Sequence, residues 1–170
     1  MNNIIFLDCE TTGLNPDKHE IIEIGAVKED GTTFECKVIP LHIKEADPEA
    51  LKINGYNLKD WGESFLLHHA LQLLNEFVGK DMPYFMAYNT SFDLSFLEKA
   101  YRDCNLPWPF HYHKLDLLTL AWAWREKTWD MNLSLSLKNV CLALGIEPEP
   151  AIHSALNGAQ KAYEVYKKLV

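Results

Sequence analysis

Asn3-Ile4-Ile5-Phe6-Leu7-Asp8 is an apolar run that ends in an acid, and it lies near the start of a chain of 170 residues. An apolar run without alternation is typical of a strand that is buried on both faces of a sheet. Turn-forming residues follow soon after, in the stretch Thr11-Thr12-Gly13-Leu14-Asn15-Pro16. In open α/β sheets, ligands gather at the carboxyl ends of the central strands. The run therefore predicts a central strand whose acidic end lies beside a binding site.

The rest of the chain predicts a mixed sheet covered by helices. Residues 20–28 and 32–39 have strand character and are joined at Glu29-Asp30-Gly31, which is typical of a hairpin. Residues 84–88 predict another short strand. Apolar residues at helical spacing occur in five segments, which are residues 65–78, 91–104, 115–124, 135–144 and 154–169. Residues 40–62 are expected to form a loop with one short helix. This order of elements indicates an α/β fold, and we expect a single domain over residues 1–170.

Composition is that of an ordinary globular domain. Hydrophobic residues make up 48% of the chain and charged residues 24%, which excludes wholesale disorder. No apolar run approaches the roughly 20 residues that span a bilayer, and we expect neither a signal peptide nor a membrane partner. The four cysteines are far apart in sequence, so neither a zinc site nor a disulfide framework is indicated, and a reducing, cytoplasmic location is expected.

The net charge of −8 limits how this chain can bind nucleic acid. A protein that holds long duplex DNA by its phosphates normally has a basic face. If this chain acts on nucleic acid, it should contact only a few nucleotides, and bound divalent cations should supply much of the positive charge.

Three acids and one histidine are candidates for such chemistry. Asp8 and Glu10 are two residues apart at a strand end, so their side chains point to the same face. Paired carboxylates repel each other unless a cation lies between them, and oxygen ligands favour Mg²⁺ or Mn²⁺. Asp93 falls in the first turn of a predicted helix, and His153 precedes the last helix. The alternatives are a surface acid pair at a strand end, a helix-capping role for Asp93, and a surface or packing role for His153.

Together these segments resemble a known family. The motifs are Asp8-Cys9-Glu10-Thr11-Thr12-Gly13-Leu14, Asn89-Thr90-Ser91-Phe92-Asp93 and His153-Ser154-Ala155. In order and spacing they are similar to the three motifs of the DEDDh (DnaQ-like) 3′→5′ exonucleases, a group that includes the proofreading exonuclease of bacterial replicative DNA polymerase. The resemblance implies a ribonuclease H-like fold, with a mixed five-stranded sheet flanked by helices.

The resemblance also implies a mechanism with two divalent metal ions, Mg²⁺ or Mn²⁺, roughly 3.5–4 Å apart. Asp8 would bridge both ions, Glu10 would serve the first, and Asp93 would support the second. His153 would accept the proton of the attacking water, which suits an imidazole that titrates near neutrality.

Substrate contacts are implied for the same motifs. The loop after the first strand would meet the terminal 3′-OH, and Leu14 would wedge against the last base. Phe92 would pack beneath the site or stack on a base. The residues implied to bind substrate are Thr11, Thr12, Gly13, Leu14, Asn89 and Phe92.

One position departs from the family pattern. The third motif places an aspartate five residues after the histidine, and here that position is Gly158. Three explanations stay open: an inactivated variant of an active enzyme, a natural member that recruits another ligand, or a domain that has lost the chemistry. The expected function is removal of nucleoside monophosphates from the 3′ ends of single-stranded DNA or RNA. The alternative is a non-catalytic nucleic-acid-binding module with the same fold. A DNA polymerase or replication complex is a candidate partner, and both a monomer and a homodimer stay open.

Overall fold

The computed structural model describes residues 3–128 and 133–170. Its strands form one sheet in the spatial order β3-β2-β1-β4-β5. The strands are β1 (Ile4–Thr11), β2 (Ile21–Lys28), β3 (Thr33–Lys37), β4 (Tyr84–Ala87) and β5 (Lys114–Asp116). β2 pairs antiparallel with both β1 and β3, whereas β4 pairs parallel with both β1 and β5. The predicted mixed sheet of five strands is confirmed.

Helices flank the sheet. They are α1 (Pro48–Asn54), α2 (Leu67–Val78), α3 (Thr90–Asp103), α4 (Leu117–Thr128), α5 (Leu137–Ala143) and α6 (Ala155–Leu169), with a short 3₁₀ helix at Ile43–Glu45. Side-chain caps fix several helix starts, because an oxygen of Asp47, Ser136 or Ser154 accepts a hydrogen bond from a backbone N–H of the first turn. Within the described residues, no helix is both long and apolar enough to cross a membrane.

The core lies on both faces of β1. Ile5 and Leu7 belong to the apolar cluster formed with α2 and α3, whereas Ile4 and Phe6 belong to the cluster formed with α4, α5 and α6. Each of these four side chains is at most 2% exposed. Neighbouring residues of a strand point to opposite faces. The single apolar run at residues 4–7 therefore contributes side chains to both apolar clusters.

Two residues that the sequence predicts to be helical pair with the sheet instead. Leu115 falls in the predicted helix 115–124, but it lies in β5 and pairs with Met86 of β4. Three residues are too few to show strand alternation, and the leucines that follow have helical spacing. Phe65 begins the predicted helix 65–78, but it forms a parallel bridge with Val38, and α2 begins at Leu67. In both cases pairing with the sheet overrides the local pattern.

Helix α6 approaches the sheet closely at one glycine. A Cβ on Gly25 of β2 would lie less than 3.0 Å from backbone atoms of Ala155 and Leu156, closer than real Cβ atoms come to such neighbours. The glycine therefore allows the first turn of α6 to rest directly on β2. This contact places the start of α6 over the end of β1, where the acids are.

Candidate active site

Backbone geometry joins the first two motifs. Asp8 and Glu10 lie in the second half of β1 and are half-buried, with Cys9 between them pointing into the core at 4% exposure. Asp93, in the first turn of α3, is 2% exposed. The backbone N–H of Cys9 donates to Asp93 Oδ1 at 2.9 Å. The third acid is thus bound to the peptide unit between the first two.

The turn before α3 sets the position of Asp93. Asn89 adopts the left-handed conformation, with φ 64°, and its N–H donates to Asp116 Oδ1 at 3.1 Å. The Thr90 hydroxyl accepts from the Ala87 N–H at 3.0 Å and bonds to the carbonyl of Leu115 at 2.7 Å. These bonds connect the ends of β4 and β5 to the first turn of α3, so two parallel strands aim that turn at β1.

The carboxylates perturb one another strongly. Burial, followed by the charges of Asp93 and Glu10, raises the pKa of Asp8 well above its usual value. Burial, followed by the Glu23 and Glu149 carboxylates, raises the pKa of Glu10 to about 8. Burial also raises the pKa of Asp93 to about 7, against the lowering effect of its backbone hydrogen bond. The charges that most shift these groups are acidic, and such a cluster accommodates ionised carboxylates only when cations join it.

These residues suit hard divalent cations. The donors are carboxylate oxygens, which Mg²⁺ and Mn²⁺ prefer. Within residues 3–128 and 133–170, however, no three His, Cys, Asp or Glu side chains are arranged as a ready-made set of metal ligands. One oxygen of Asp93 is held by the Cys9 N–H, which leaves its second oxygen for another partner.

The third motif lies at the N-terminus of α6. The His153 side chain is exposed, and its backbone N–H donates to the carbonyl of Ile53 at 2.9 Å. The Ser154 hydroxyl accepts from the Asn157 N–H at 3.4 Å and caps the helix. Charge interaction with His153 has the largest lowering effect on the pKa of Glu149, so this histidine lies near that acid.

Gly158 faces Asp8 directly. A Cβ on Gly158 would lie 2.5 Å from Asp8 Oδ2 and 2.7 Å from Asp8 Cγ. The position at which the resemblance implies a fourth acid therefore faces Asp8. Here the Asp8 carboxylate fills the space that a side chain at 158 would take.

The loop after β1 shows how the implied substrate residues lie. Leu14 is 77% exposed, as a residue that wedges against a base must be. Thr11 and Thr12 are buried, and their hydroxyls are engaged within the loop: the first donates to the Gly13 carbonyl at 2.8 Å, and the second accepts from the Glu20 N–H at 2.9 Å. Direct contact of these hydroxyls with a 3′-OH competes with those bonds, so the threonines chiefly shape the loop.

The aromatic candidates divide by exposure. Phe92 is half-buried and packs on Phe96, with the ring centroids 5.2 Å apart, which favours packing over base stacking. The sequence also offers Trp122, Trp124 and Trp129 as base-stacking candidates, and of these Trp122 is 49% exposed. Trp124 is half-buried, and Trp129 lies outside the described residues.

Sequence reasoning missed two acids of this cluster, Glu23 and Glu149. Glu23 is 2% exposed on β2, beside Glu10, and burial with the Glu35 carboxyl group raises its pKa to about 7. An acid within the otherwise apolar run of β2 was the available signal. Glu149 lies between two prolines, four residues before His153, and that spacing was the only sequence signal for it.

Known proteins share this chain's sequence pattern and fold. The chain is 30% identical over 115 residues to a Mycobacterium tuberculosis protein described as a bifunctional exonuclease/endonuclease, and the match covers 62% of this chain but 17% of that protein. It is 28% identical over 135 residues to an oligoribonuclease of Shewanella oneidensis, covering 69% of this chain and 72% of the relative.

The fold is that of E. coli exonuclease I, whose crystal structure in complex with a dT13 oligonucleotide superposes with a TM-score of 0.82 at 17% identity, over 98% of this chain and 40% of that one. This likeness confirms the ribonuclease H-like sheet flanked by helices. The profile of the exonuclease family RNase_T matches residues 5–166. The chain therefore belongs to the RNase_T exonuclease family.

Proposed function

We propose that this chain is a metal-dependent 3′→5′ exonuclease that releases nucleoside monophosphates from single-stranded DNA or RNA. The observation that supports this most is the bond from the Cys9 N–H to Asp93, which ties the third acid to the strand that carries Asp8 and Glu10. A chain with a net charge of −8 suits a substrate held by its end rather than along its length.

In this proposal Asp8, Glu10 and Asp93 hold two divalent cations, Mg²⁺ or Mn²⁺. When bound, the cations stabilise the attacking and leaving oxygens of the phosphoryl transfer. Asp8 interacts with the charges of both other acids and faces the Gly158 position, so its carboxylate would help to hold the cations. The mutual repulsion of the acids favours cation entry, since it disappears when the positive charge arrives.

His153 acts as the general base. Its side chain is exposed at the helix start, where it can accept a proton from a water and release that proton to solvent. The water oxygen attacks the last phosphorus, the bond to the preceding 3′ oxygen breaks, and that oxygen takes up a proton. The products are a nucleoside 5′-monophosphate and a strand that is one residue shorter.

The substrate end lies in the loop after β1. Leu14 contacts the terminal base from its exposed position, and the loop of Thr11, Thr12 and Gly13 forms the floor beneath the sugar. Asn89 is exposed at the start of α3, on the route of the preceding nucleotide. The relatives include an oligoribonuclease, and exonuclease I was crystallised with a DNA oligonucleotide, so both kinds of strand are candidate substrates. The resemblance to proofreading exonucleases extends the proposal to a DNA polymerase or replication complex as partner.

Gly158 supports a second candidate, a nucleic-acid-binding module without catalysis. The family's fourth carboxylate is missing, and no side chain at 158 can bind a cation. Loss of even an indirect partner of a metal weakens metal binding by about 10–100-fold. A domain with the same pocket but too little metal affinity would bind strands without cutting them.

One experiment separates the two functions. Single-stranded DNA and RNA with a 5′ label are incubated with Mg²⁺ or Mn²⁺, using the wild-type chain and Asp8→Asn, while fluorescence anisotropy reports binding. A ladder of shortened products that disappears with EDTA and in the variant supports the exonuclease. Binding without a ladder supports the module, and neither binding nor cleavage refutes both.

A further inference from the structure

We infer that Glu149 supplies a carboxylate ligand to the cation site, in place of the fourth acid that the family carries at the position of Gly158. The inference rests on the proposed function and adds a residue to its site. Glu149 lies on the segment between α5 and α6, outside the three motifs.

The first argument is an unpaired oxygen. Glu149 Oε1 is fully buried and is one of a few buried side-chain atoms in the described part of the chain that lack a hydrogen-bond partner. An ionised carboxylate oxygen in that position costs stability unless a partner arrives. Burial accordingly raises the pKa of Glu149. A cation is the partner that an oxygen among other acids can accept.

The second argument is location. The Glu149 charge contributes to the raised pKa of both Asp8 and Glu10, so its carboxylate lies near both acids of β1. The charge of His153, the proposed base, has the largest lowering effect on the pKa of Glu149. Glu149 thus interacts electrostatically with both acids of β1 and with the proposed base.

The third argument is the rigidity of the segment that carries Glu149. Pro148 and Pro150 flank it, and each restricts the backbone of itself and of the residue before it. On the α5 side, the Ile146 N–H donates to the Cys141 carbonyl at 2.8 Å. On the α6 side, the His153 N–H is bonded to α1. These anchors restrict the backbone that carries Glu149 before a cation binds.

The fourth argument is the space at Gly158. A Cβ at 158 would meet the end of the Asp8 side chain, which would have to turn to make room. A carboxylate that enters from the 145–153 segment needs no such movement of Asp8. Glu149 can therefore serve the site while Asp8 keeps its position.

An ion pair with Lys161 is the main structural alternative for Glu149. Lys161 lies one turn after Gly158 and lowers the pKa of Glu149, so the two charges are near each other. Its Nζ, however, donates to both oxygens of Glu164, at 3.3 and 3.1 Å. The Lys161 ammonium is thus paired elsewhere, and Glu149 Oε1 is left without a partner.

The test measures Mn²⁺ binding by the loss of the electron paramagnetic resonance signal of free aqueous Mn²⁺, at pH 8. The variants are Glu149→Gln, Glu149→Asp and the control Glu147→Gln, whose glutamate is exposed two residues away. We expect Glu149→Gln to bind Mn²⁺ at least about tenfold more weakly, and Glu147→Gln to bind as the wild type does. Glu149→Asp keeps the charge but shortens its reach, so a direct ligand predicts weaker binding here too, whereas wild-type affinity would refute direct ligation.

Thermal unfolding in EDTA supplies a second readout. If Glu149 is a ligand, Glu149→Gln removes repulsion from the empty site and unfolds no earlier than the wild type, whereas a structural ion pair predicts earlier unfolding. Asp8→Asn separates the two hypotheses. No Mn²⁺ binding by the wild type, or binding that Asp8→Asn leaves unchanged, refutes the proposed metal site itself. If the wild type binds Mn²⁺ and Asp8→Asn weakens that binding, wild-type affinity in Glu149→Gln refutes only the role of Glu149.

Discussion

Replacement of Gly158 by aspartate, compared with replacement by asparagine, tests whether position 158 faces the acid cluster. Both side chains place a Cβ 2.5 Å from Asp8 Oδ2, so both force the Asp8 carboxylate to turn away. The two variants have nearly the same shape and differ in charge. Their difference in stability therefore isolates the electrostatic environment of position 158.

The magnitude follows from the distances. A carboxylate that starts from this Cβ brings its charge within about 4 Å of the Asp8 carboxylate, where two charges at an effective dielectric constant of 20 repel by about 4 kcal/mol. The acids of the cluster already have raised pKa values, so they take up protons and relieve part of this repulsion. We expect Gly158→Asp to be less stable than Gly158→Asn by about 1–3 kcal/mol in EDTA at pH 8. At about 2–4 °C per kcal/mol, its Tm should be lower by about 2–12 °C.

The assay is thermal unfolding followed by circular dichroism, with EDTA and with saturating Mn²⁺. A cation that binds only the folded state stabilises it by about 2.7 kcal/mol at a hundred times its Kd. Because the additional acid of Gly158→Asp increases the affinity for the cation, Mn²⁺ should narrow or reverse the difference in Tm between Gly158→Asp and Gly158→Asn. Equal Tm values in EDTA would refute the placement of residue 158 beside Asp8, and an unchanged difference with Mn²⁺ would refute a cation site there.

Three further perturbations test the fold, the electrostatics and the substrate loop. Gly25→Ala should lower the free energy of unfolding, measured by urea titration, by more than the usual overpacking cost of about 1–3 kcal/mol. The reason is that its methyl group meets the backbone of α6. The control Gly62→Ala should change this free energy little, because its methyl group would be 3.5 Å from its nearest neighbour. The pKa values of Glu10, about 8, and Asp93, about 7, lie above those of free acids, so the folded state without metal binds more protons and its stability should fall between pH 5 and pH 8. Urea titrations in EDTA that show constant or rising stability over this range would contradict the raised values. Leu14→Ala should leave Tm unchanged, because the side chain is 77% exposed. The same variant should bind a single-stranded oligonucleotide more weakly in anisotropy titrations. Unchanged binding would remove Leu14 from the substrate site.

Much of the fold could be predicted because single segments carry strong signals. The uninterrupted apolar run through Leu7 is typical of a strand that is covered on both sides, as it is here, and the acids that follow it predict the candidate functional edge. The helical position of Asp93 follows from the strand-to-helix sequence around it. Its bond to the Cys9 N–H, which joins two motifs 84 residues apart, could not be predicted, since the bond depends on how β1 and β4 pair.

The missed features have physical reasons in common. β5 is three residues long, so its alternation is invisible, and its pairing with β4 exists only in the folded sheet. The burial of Glu149 depends on two anchored ends of a segment that reads as a polar loop. Gly158 was recognised as a missing acid, but its close contact with Asp8 requires the approach of α6 to Gly25.

The most direct test of the exonuclease proposal is the identity of the first product. A single-stranded oligonucleotide with a radiolabelled 3′-terminal nucleotide is incubated with the chain and Mn²⁺, and the labelled products are separated by chromatography over time. The account predicts that the label leaves first and entirely as the nucleoside 5′-monophosphate, only with the divalent metal and not with His153→Ala or Asp8→Asn. Label that stays on the strand, or that leaves on longer fragments, would contradict the account.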